Sequence, residues 1–295
     1  MIVDLSKIKS GFSDKLRAIT FFIALSKFKK IKYFNIYEKK NYQCPFRFVD
    51  YCKIKKIKIK NINNNIKDKN KIIFNSYNSE INKKNCKLAN QFSGQINNKT
   101  LLSEWKNSYK EIYPNYSLQK KIDKIKLPKN FISVHIRSTD RVVKFKNILK
   151  DIQLKDMIVD FQLNKFSTMI VGFLSKYSRC KNVYISSDQE NIKAKVINEL
   201  KKKNFKIYFN NCKFKKTSYR KTNGEDFLID LFCITKSKSV FSTVGGGVPF
   251  TAYLLSGKKC QLHNWINEFN KFYFLRVFIL VIYYLKRIKF FLSNF

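Results

Sequence analysis

Residues that bend or stiffen the chain are scarce, with 8 Gly and 4 Pro among 295 residues. That excludes collagen-like and linker-like chains. Acidic residues are scarce as well: 20 Asp and Glu stand against 60 Lys and Arg, for a formal net charge of +40. There are 2 His, too few for a His-rich zinc site, and the 7 Cys form no CxxC pair and show no finger spacing. Scattered, odd-numbered thiols suit a reducing, cytosolic setting. No P-loop, HExxH, GxSxG or DxD sequence occurs. Without paired carboxylates to hold a divalent metal, any bound diphosphate would need cationic side chains and backbone amides for neutralisation.

What the chain does have is apolar and aromatic mass. Hydrophobic residues make up 44% and aromatics 16%, including 28 Phe and 16 Tyr. A disordered chain is thereby excluded. The length exceeds what one core usually serves, so two lobes are expected. The basic residues are 52 Lys and only 8 Arg, in a sequence also rich in Asn and Ile. That is the bias of an AT-rich coding sequence, and it discounts the charge as a signal for nucleic acid. Electrostatics alone would give salt-sensitive, sequence-blind affinity, and no nucleic-acid motif is present. A nucleic-acid partner is not expected.

The N-terminus has an Asp at position 4 and no apolar core of signal-peptide length. Near the other end, Phe272 to Leu285 is 14 residues interrupted only by Arg276 and followed by Lys286, Arg287 and Lys289. This falls short of the roughly 20 residues of a membrane span. Aromatic-rich and flanked by bases, it reads as an amphipathic helix on an anionic membrane surface, with packing on the domain as the alternative. The expected setting is cytoplasmic and peripheral, on the inner face of the cytoplasmic membrane.

Along the chain, Ile2, Val3 and Leu5 form an opening strand, Gly11 a turn, and Leu16 to Ser26 a helix capped by Ser13 or Asp14. The Lys/Asn/Ile-rich stretch Lys53 to Lys71 reads as a variable insertion. Residues 72–120 give no clear periodicity. From 126 the pattern sharpens. Strands are expected over 131–136, 182–188, 205–209, 239–243 and 260–263. Helices are expected over 154–176, 190–203, 225–235 and 248–256, the last capped by Gly257. This alternation predicts a doubly wound parallel sheet, whose ligands bind at the carboxyl ends of the strands. The expected organisation is an N-terminal lobe over 1–125, a second lobe over 126–264, and a basic aromatic tail over 265–295.

Four elements fall at those strand ends or helix starts. His135-Ile136-Arg137-Ser138-Thr139-Asp140-Arg141 gathers one of two His and two of eight Arg in seven residues. Arg supplies a planar fork suited to phosphate oxygens, and Asp140 can orient it or act on a hydroxyl. The alternative is a strand-end salt bridge. Gly11-Phe12-Ser13-Asp14-Lys15-Leu16-Arg17 places a glycine turn before a helix N-terminus, which suits an anion, though it is equally an ordinary capped helix. Asp226 and Asp230, at i and i+4, share a helical face that is either solvated or turned to the ligand edge. Thr243-Val244-Gly245-Gly246-Gly247 permits close backbone approach to phosphate.

Taken in order, these elements resemble the α-1,6-fucosyltransferases of the nodulation-protein-Z type and their relatives, the protein O-fucosyltransferases. The family's His-Val-Arg-Arg-Thr-Asp-Lys motif is similar to residues 135–141, and its Val-Tyr-x-x-Thr/Ser-Asp-Asp strand is similar to 183–189. Its final block is similar to Asp230-Leu231 through Thr243 and on to Ala252-Tyr253. The match covers residues 126–257, with a fainter one at Gly11 to Arg17.

The resemblance implies a GT-B-like α/β fold, two Rossmann-like lobes with GDP-fucose in the cleft, and an inverting, metal-independent transfer without a cofactor. It implies that His135 and Arg137 hold the donor diphosphate and that Asp230 reads guanine. Asp188 would lie near the nucleotide, Thr243, Gly245 and Gly246 would line the donor site, and Arg17 would face the phosphates from the first lobe. Arg137 and Asp140 would be the catalytic pair, with Asp151 or Asp156 as other candidate bases. The acceptor would be a glycan or lipid-linked glycan. Departures concern the acceptor chemistry and the sugar more than the nucleotide. Ser138 stands where the family has a second Arg, Arg141 where it has Lys, Gln189 where it has Asp, and Gly245 and Gly246 where it has Ser. Phe145 stands where eukaryotic relatives have a Glu proposed as base. Another donor, such as GDP-mannose or GDP-heptose, is the competing expectation, with a basic nucleic-acid-binding protein as the alternative from another class.

Overall fold

The structure is a computed structural model that describes residues 2–5, 11–29, 33–40, 44, 46–55, 57–61, 71–73, 98–136, 168, 170–172, 174–175, 179–188, 190–212, 224–242, 247–257 and 259–264. Two parallel sheets organise it. The first has the order β4-β2-β1-β5, built from β1 (Ile2–Asp4), β2 (Tyr33–Tyr37), β4 (Lys58–Asn61) and β5 (Lys71–Ile73). Between β2 and β4, β3 (Cys52–Ile54) pairs antiparallel with β6 (Ile112–Pro114) as a separate two-stranded ribbon. The second sheet has the order β11-β10-β7-β8-β9, from β7 (Ile132–Ile136), β8 (Asn182–Ser187), β9 (Lys206–Tyr208), β10 (Ser239–Ser242) and β11 (Gln261–Asn264). All its pairings are parallel, as the alternating pattern predicts.

The helices follow from apolar spacing. α1 (Phe12–Lys29) buries Leu16, Ile19, Phe21, Phe22, Ile23 and Leu25, so it is covered on nearly every side. Gly11 starts it, its carbonyl accepting from the Asp14 amide at 3.1 Å, and Asp14 in the first turn suits the positive end of the helix dipole. α2 (Asn98–Ser108) packs on α1. Its Trp105 ring meets Phe21 edge-on at 5.4 Å, and the indole N–H donates to the Arg17 carbonyl at 2.9 Å. α3 (Tyr116–Asp123) is capped by Asn115, whose side chain accepts from the Leu118 amide. α4 (Glu190–Lys202), α5 (Gly224–Thr235) and α6 (Gly247–Leu255) complete the second half. Gly257 closes α6 with φ of +67°, its amide donating to the Leu254 carbonyl, as a left-handed helix end requires.

Two expectations change. Lys53 to Lys71 is not wholly an insertion. Residues 52–54 and 58–61 are strands, β4 being the edge of the first sheet, where Lys and Asn can face water without cost; 62–70 lie outside the described residues. The unassigned stretch 72–120 supplies β5, α2, β6 and the start of α3. Of the helix expected over 154–176, residues 168, 170–172 and 174–175 are described, and they are helical. The tail over 265–295 lies outside the described residues. Among the described residues, no helix is long and apolar enough to cross a membrane.

Successive residues of the second sheet face opposite sides. Ile132, Val134, Ile136, Val183, Ile185 and Phe241 share one face and pack with Ile192, Val196 and Leu200 of α4. The other face joins a larger core that also contains α1, α5 and α6. Phe12 on α1 lies 5.1 Å from Phe46 and 6.1 Å from Phe227 on α5, ring centre to ring centre. Gly224 fits there because it lacks a side chain: a Cβ would fall 1.9 Å from a Phe46 ring carbon.

Candidate active site

The strand order fixes where a ligand can enter. In the second sheet the chain runs outward from β7 to β8 and β9, then returns to the other side of β7 with β10 and β11. The switch point of this sheet therefore falls between the carboxyl ends of β7 and β10, the place where such sheets bind ligands. β7 ends at Ile136, one residue before Arg137, and β10 ends at Ser242, one residue before Thr243. The two motifs thus flank the switch point. The first sheet reverses in the same way between β1 and β5, and the Gly11 turn follows β1.

At this edge the register aligns three polar side chains. His135 on β7 pairs with Ser186 on β8 and with Ser242 on β10, so the three project from the same face. His135 is 9% exposed, and its Nδ1 lies 2.9 Å from Ser186 Oγ. Asp188, half-buried just past β8, has its amide donating to the Ile136 carbonyl at 3.3 Å. His135, Ser186, Ser242 and Asp188 are therefore brought together. Arg137, Asp140, Thr243, Gly245 and Gly246 lie outside the described residues, as do the alternative bases Asp151 and Asp156.

Asp230 lies deeper, and it is not on a solvated face. It is buried at the level of Tyr184, two residues before Ser186 on the same strand, and accepts the Tyr184 hydroxyl hydrogen at 2.5 Å. Burial pushes its carboxyl up to about 7, against the opposing influence of Lys193 and of the Tyr184 hydrogen bond. Burial also raises the Tyr184 phenol well above its usual range, with Asp230 adding to the rise. Lys193 is itself buried, and its ammonium donates to the Asn210 carbonyl at 2.6 Å. Asn210 in turn donates from its side chain to Asp226 Oδ1 at 3.0 Å. Asp226 borders an open groove of about 490 Å³ lined also by Lys121, Lys124, Tyr208, Asn210 and Glu225. The two carboxylates at i and i+4 thus differ: Asp226 meets a groove and Asp230 is enclosed.

On the first sheet's side, Arg17 sits in the second turn of α1, partly exposed, with Nη1 3.1 Å from Asp14 Oδ1. Its neighbour Lys15 is fully enclosed. The ammonium contacts Glu38 Oε1 at 2.7 Å and also donates to the Lys39 and Phe46 carbonyls. Glu38 accepts the Phe48 amide with its other oxygen, and burial still raises its carboxyl. Lys15 therefore anchors the first turn of α1 to the segment that follows β2. The described cysteines are all free, and burial pushes the thiols of Cys212 and Cys233 up to about 12, which keeps them protonated and poor nucleophiles.

Two parallel α/β units, each with its switch point at a carboxyl edge, define a GT-B-like fold. Among solved structures, the fold overlaps POFUT1 in complex with GDP at a TM-score of 0.52 and 9% identity, covering 88% of this chain and 97% of that one. POFUT1 in complex with GDP-fucose gives 0.52 and 8%, covering 88% and 96%. NodZ alpha-1,6-fucosyltransferase soaked with GDP-fucose gives 0.46 and 12%, covering 86% and 92%, an overlap too loose to argue from. No protein-family model matches the sequence, and no curated protein matches it. At such identities the likeness is one of fold.

Proposed function

We propose that the chain is an inverting glycosyltransferase that moves fucose from GDP-fucose to a hydroxyl of a glycan acceptor, without a metal. The observation that carries this reading is that β7 ends at Ile136 and β10 at Ser242 on either side of the second sheet's switch point, so the Arg137 motif and the Thr243–Gly247 segment continue the chain from those two strand ends. The fold shared with POFUT1, solved with GDP and with GDP-fucose, supports the same reading. The acceptor hydroxyl attacks the anomeric carbon, a new C–O bond forms on the opposite face, and the bond to the diphosphate oxygen breaks. Arg137 and the glycine-turn amides stabilise the charge that builds on departing GDP, where preorganised donors count most. The hydroxyl proton passes to a carboxylate, for which Asp140 is the first candidate.

The acceptor is proposed to be a glycan or lipid-linked glycan of bacterial surface-polysaccharide assembly, met at the inner face of the cytoplasmic membrane. The basic aromatic stretch 272–289 is the sequence feature that supports membrane contact.

Calorimetric titration with GDP, GDP-fucose, GDP-mannose and UDP, in the presence of EDTA, tests the reading. GDP is expected to bind, and Arg137→Ala is expected to abolish that binding and lower turnover about 10²-fold or more while the chain folds normally. Tighter binding of GDP-mannose than GDP-fucose would change the sugar, as the departures at Ser138, Phe145, Gly245 and Gly246 allow. Binding of UDP in place of GDP would overturn the assignment.

A further inference from the structure

The contact between His135 and Ser186 determines more than position. Ser186 is 1% exposed, and His135 Nδ1, at 2.9 Å, is the one hydrogen-bond partner of its hydroxyl among the described residues. Two arrangements satisfy that distance. Either the ring N–H donates to the serine oxygen, or the serine O–H donates to an unprotonated Nδ1. In the first, the serine's own hydrogen is buried with no acceptor, which is costly. The hydroxyl of Ser133, two residues before His135 and on the same face, is already buried without a partner among the described residues. The first arrangement would leave a second stranded hydroxyl hydrogen on this face; the second adds none.

We propose that Ser186 is a positioning residue, donating its hydroxyl hydrogen to Nδ1 and so fixing His135 as the neutral tautomer with its proton on Nε2. The ring then acts as a hydrogen-bond donor through Nε2 at the strand end and adds no charge. In the transferase reading, on which this consequence rests, a diphosphate oxygen receives a neutral donor from His135 and the positive charge comes from Arg137. Ser186 is thus set apart from the other hydroxyls of the face by the role it plays through its neighbour.

The test is long-range ¹H–¹⁵N correlation of the imidazoles in the full chain. With only 2 His present, a His263→Gln variant separates the two rings. The wild-type His135 ring is expected to show a protonated Nε2 and a hydrogen-bonded, unprotonated Nδ1. In Ser186→Ala the Nδ1-protonated tautomer should gain population and GDP affinity should fall by up to about tenfold. Ser186→Thr, which keeps the hydroxyl, should restore both. A wild-type ring protonated on Nδ1 would overturn the proposal, and so would a Ser186→Ala ring unchanged from wild type. If GDP fails to bind, the transferase reading falls, while the wild-type ring pattern still decides the tautomer.

Discussion

The two faces of the second sheet come from the same strands, alternate residue by alternate residue, yet they differ in kind. One carries Val134, Ile136, Val183, Ile185 and Phe241 and closes against α4 with apolar contacts. The other carries Ser133, His135, Tyr184, Ser186 and Ser242, with Asp230 of α5 against Tyr184. Both are buried. A strand buried on both sides reads as a continuous apolar run, and this sheet departs from that mainly on one side, with Ser187 and Ser239 as the polar residues of the other. The polar side chains stand on the side covered by α5 and α6, where Tyr184 and Val240 join the larger core. One face holds the sheet together; the other bears the cost of burying polar groups.

The comparison is sharpened by four variants. Ile185→Ala, on the apolar face, should cost about 2–5 kcal/mol in urea unfolding while leaving GDP affinity of the folded protein unchanged. A matching loss of affinity would show the faces to be coupled. Tyr184→Phe, on the polar face, leaves the buried Asp230 without its donor and should cost about 1–3 kcal/mol in the same measurement. Asp230 also makes a pH signature. Its folded pKa, about 7, lies above the ordinary 3.8, so between those values the folded chain keeps a proton that the unfolded chain has lost. Stability should therefore fall as pH rises through that window, by up to about 1.4 kcal/mol per unit. Asp230→Asn should flatten that part of the profile, and an unchanged slope would assign the dependence elsewhere. The smallest effect belongs to Ser133→Ala, which removes a buried hydroxyl without a partner among the described residues. Stability should hold or rise by up to about 1 kcal/mol, and a clear loss would reveal a bond that the hydroxyl makes in solution.

Much of this was legible in the residues. The runs 131–136 and 182–187 are strands because four or more consecutive apolar or small residues lie between turn signals. Gly257 marked a helix end correctly because only a left-handed residue fits there. The strand β4 was hidden because an edge strand needs few apolar residues, and Lys58 to Asn61 supplies only Ile59. α2 was hidden because Leu101 and Trp105 are its deeply buried positions, too few to set a period in a Lys- and Asn-rich stretch. Within the site, strand ends announced His135 and Asp188. The bond from Tyr184 to Asp230 spans 46 residues and that from Ser186 to His135 spans 51, and no local pattern encodes either. The spacing of Asp226 and Asp230 suggested a shared environment. It failed because α5 is enclosed over most of its surface, so one turn of helix separates a groove from a core.

The packing of Phe12, Phe46 and Phe227 beside Gly224 has a consequence for how the chain melts. These rings belong to one continuous core shared by both sheets. Neither half can therefore shed its partner without exposing a broad aromatic surface to water. The protein should therefore denature as one cooperative unit, and a gene split after residue 125 should yield two sticky fragments in place of two independent folds.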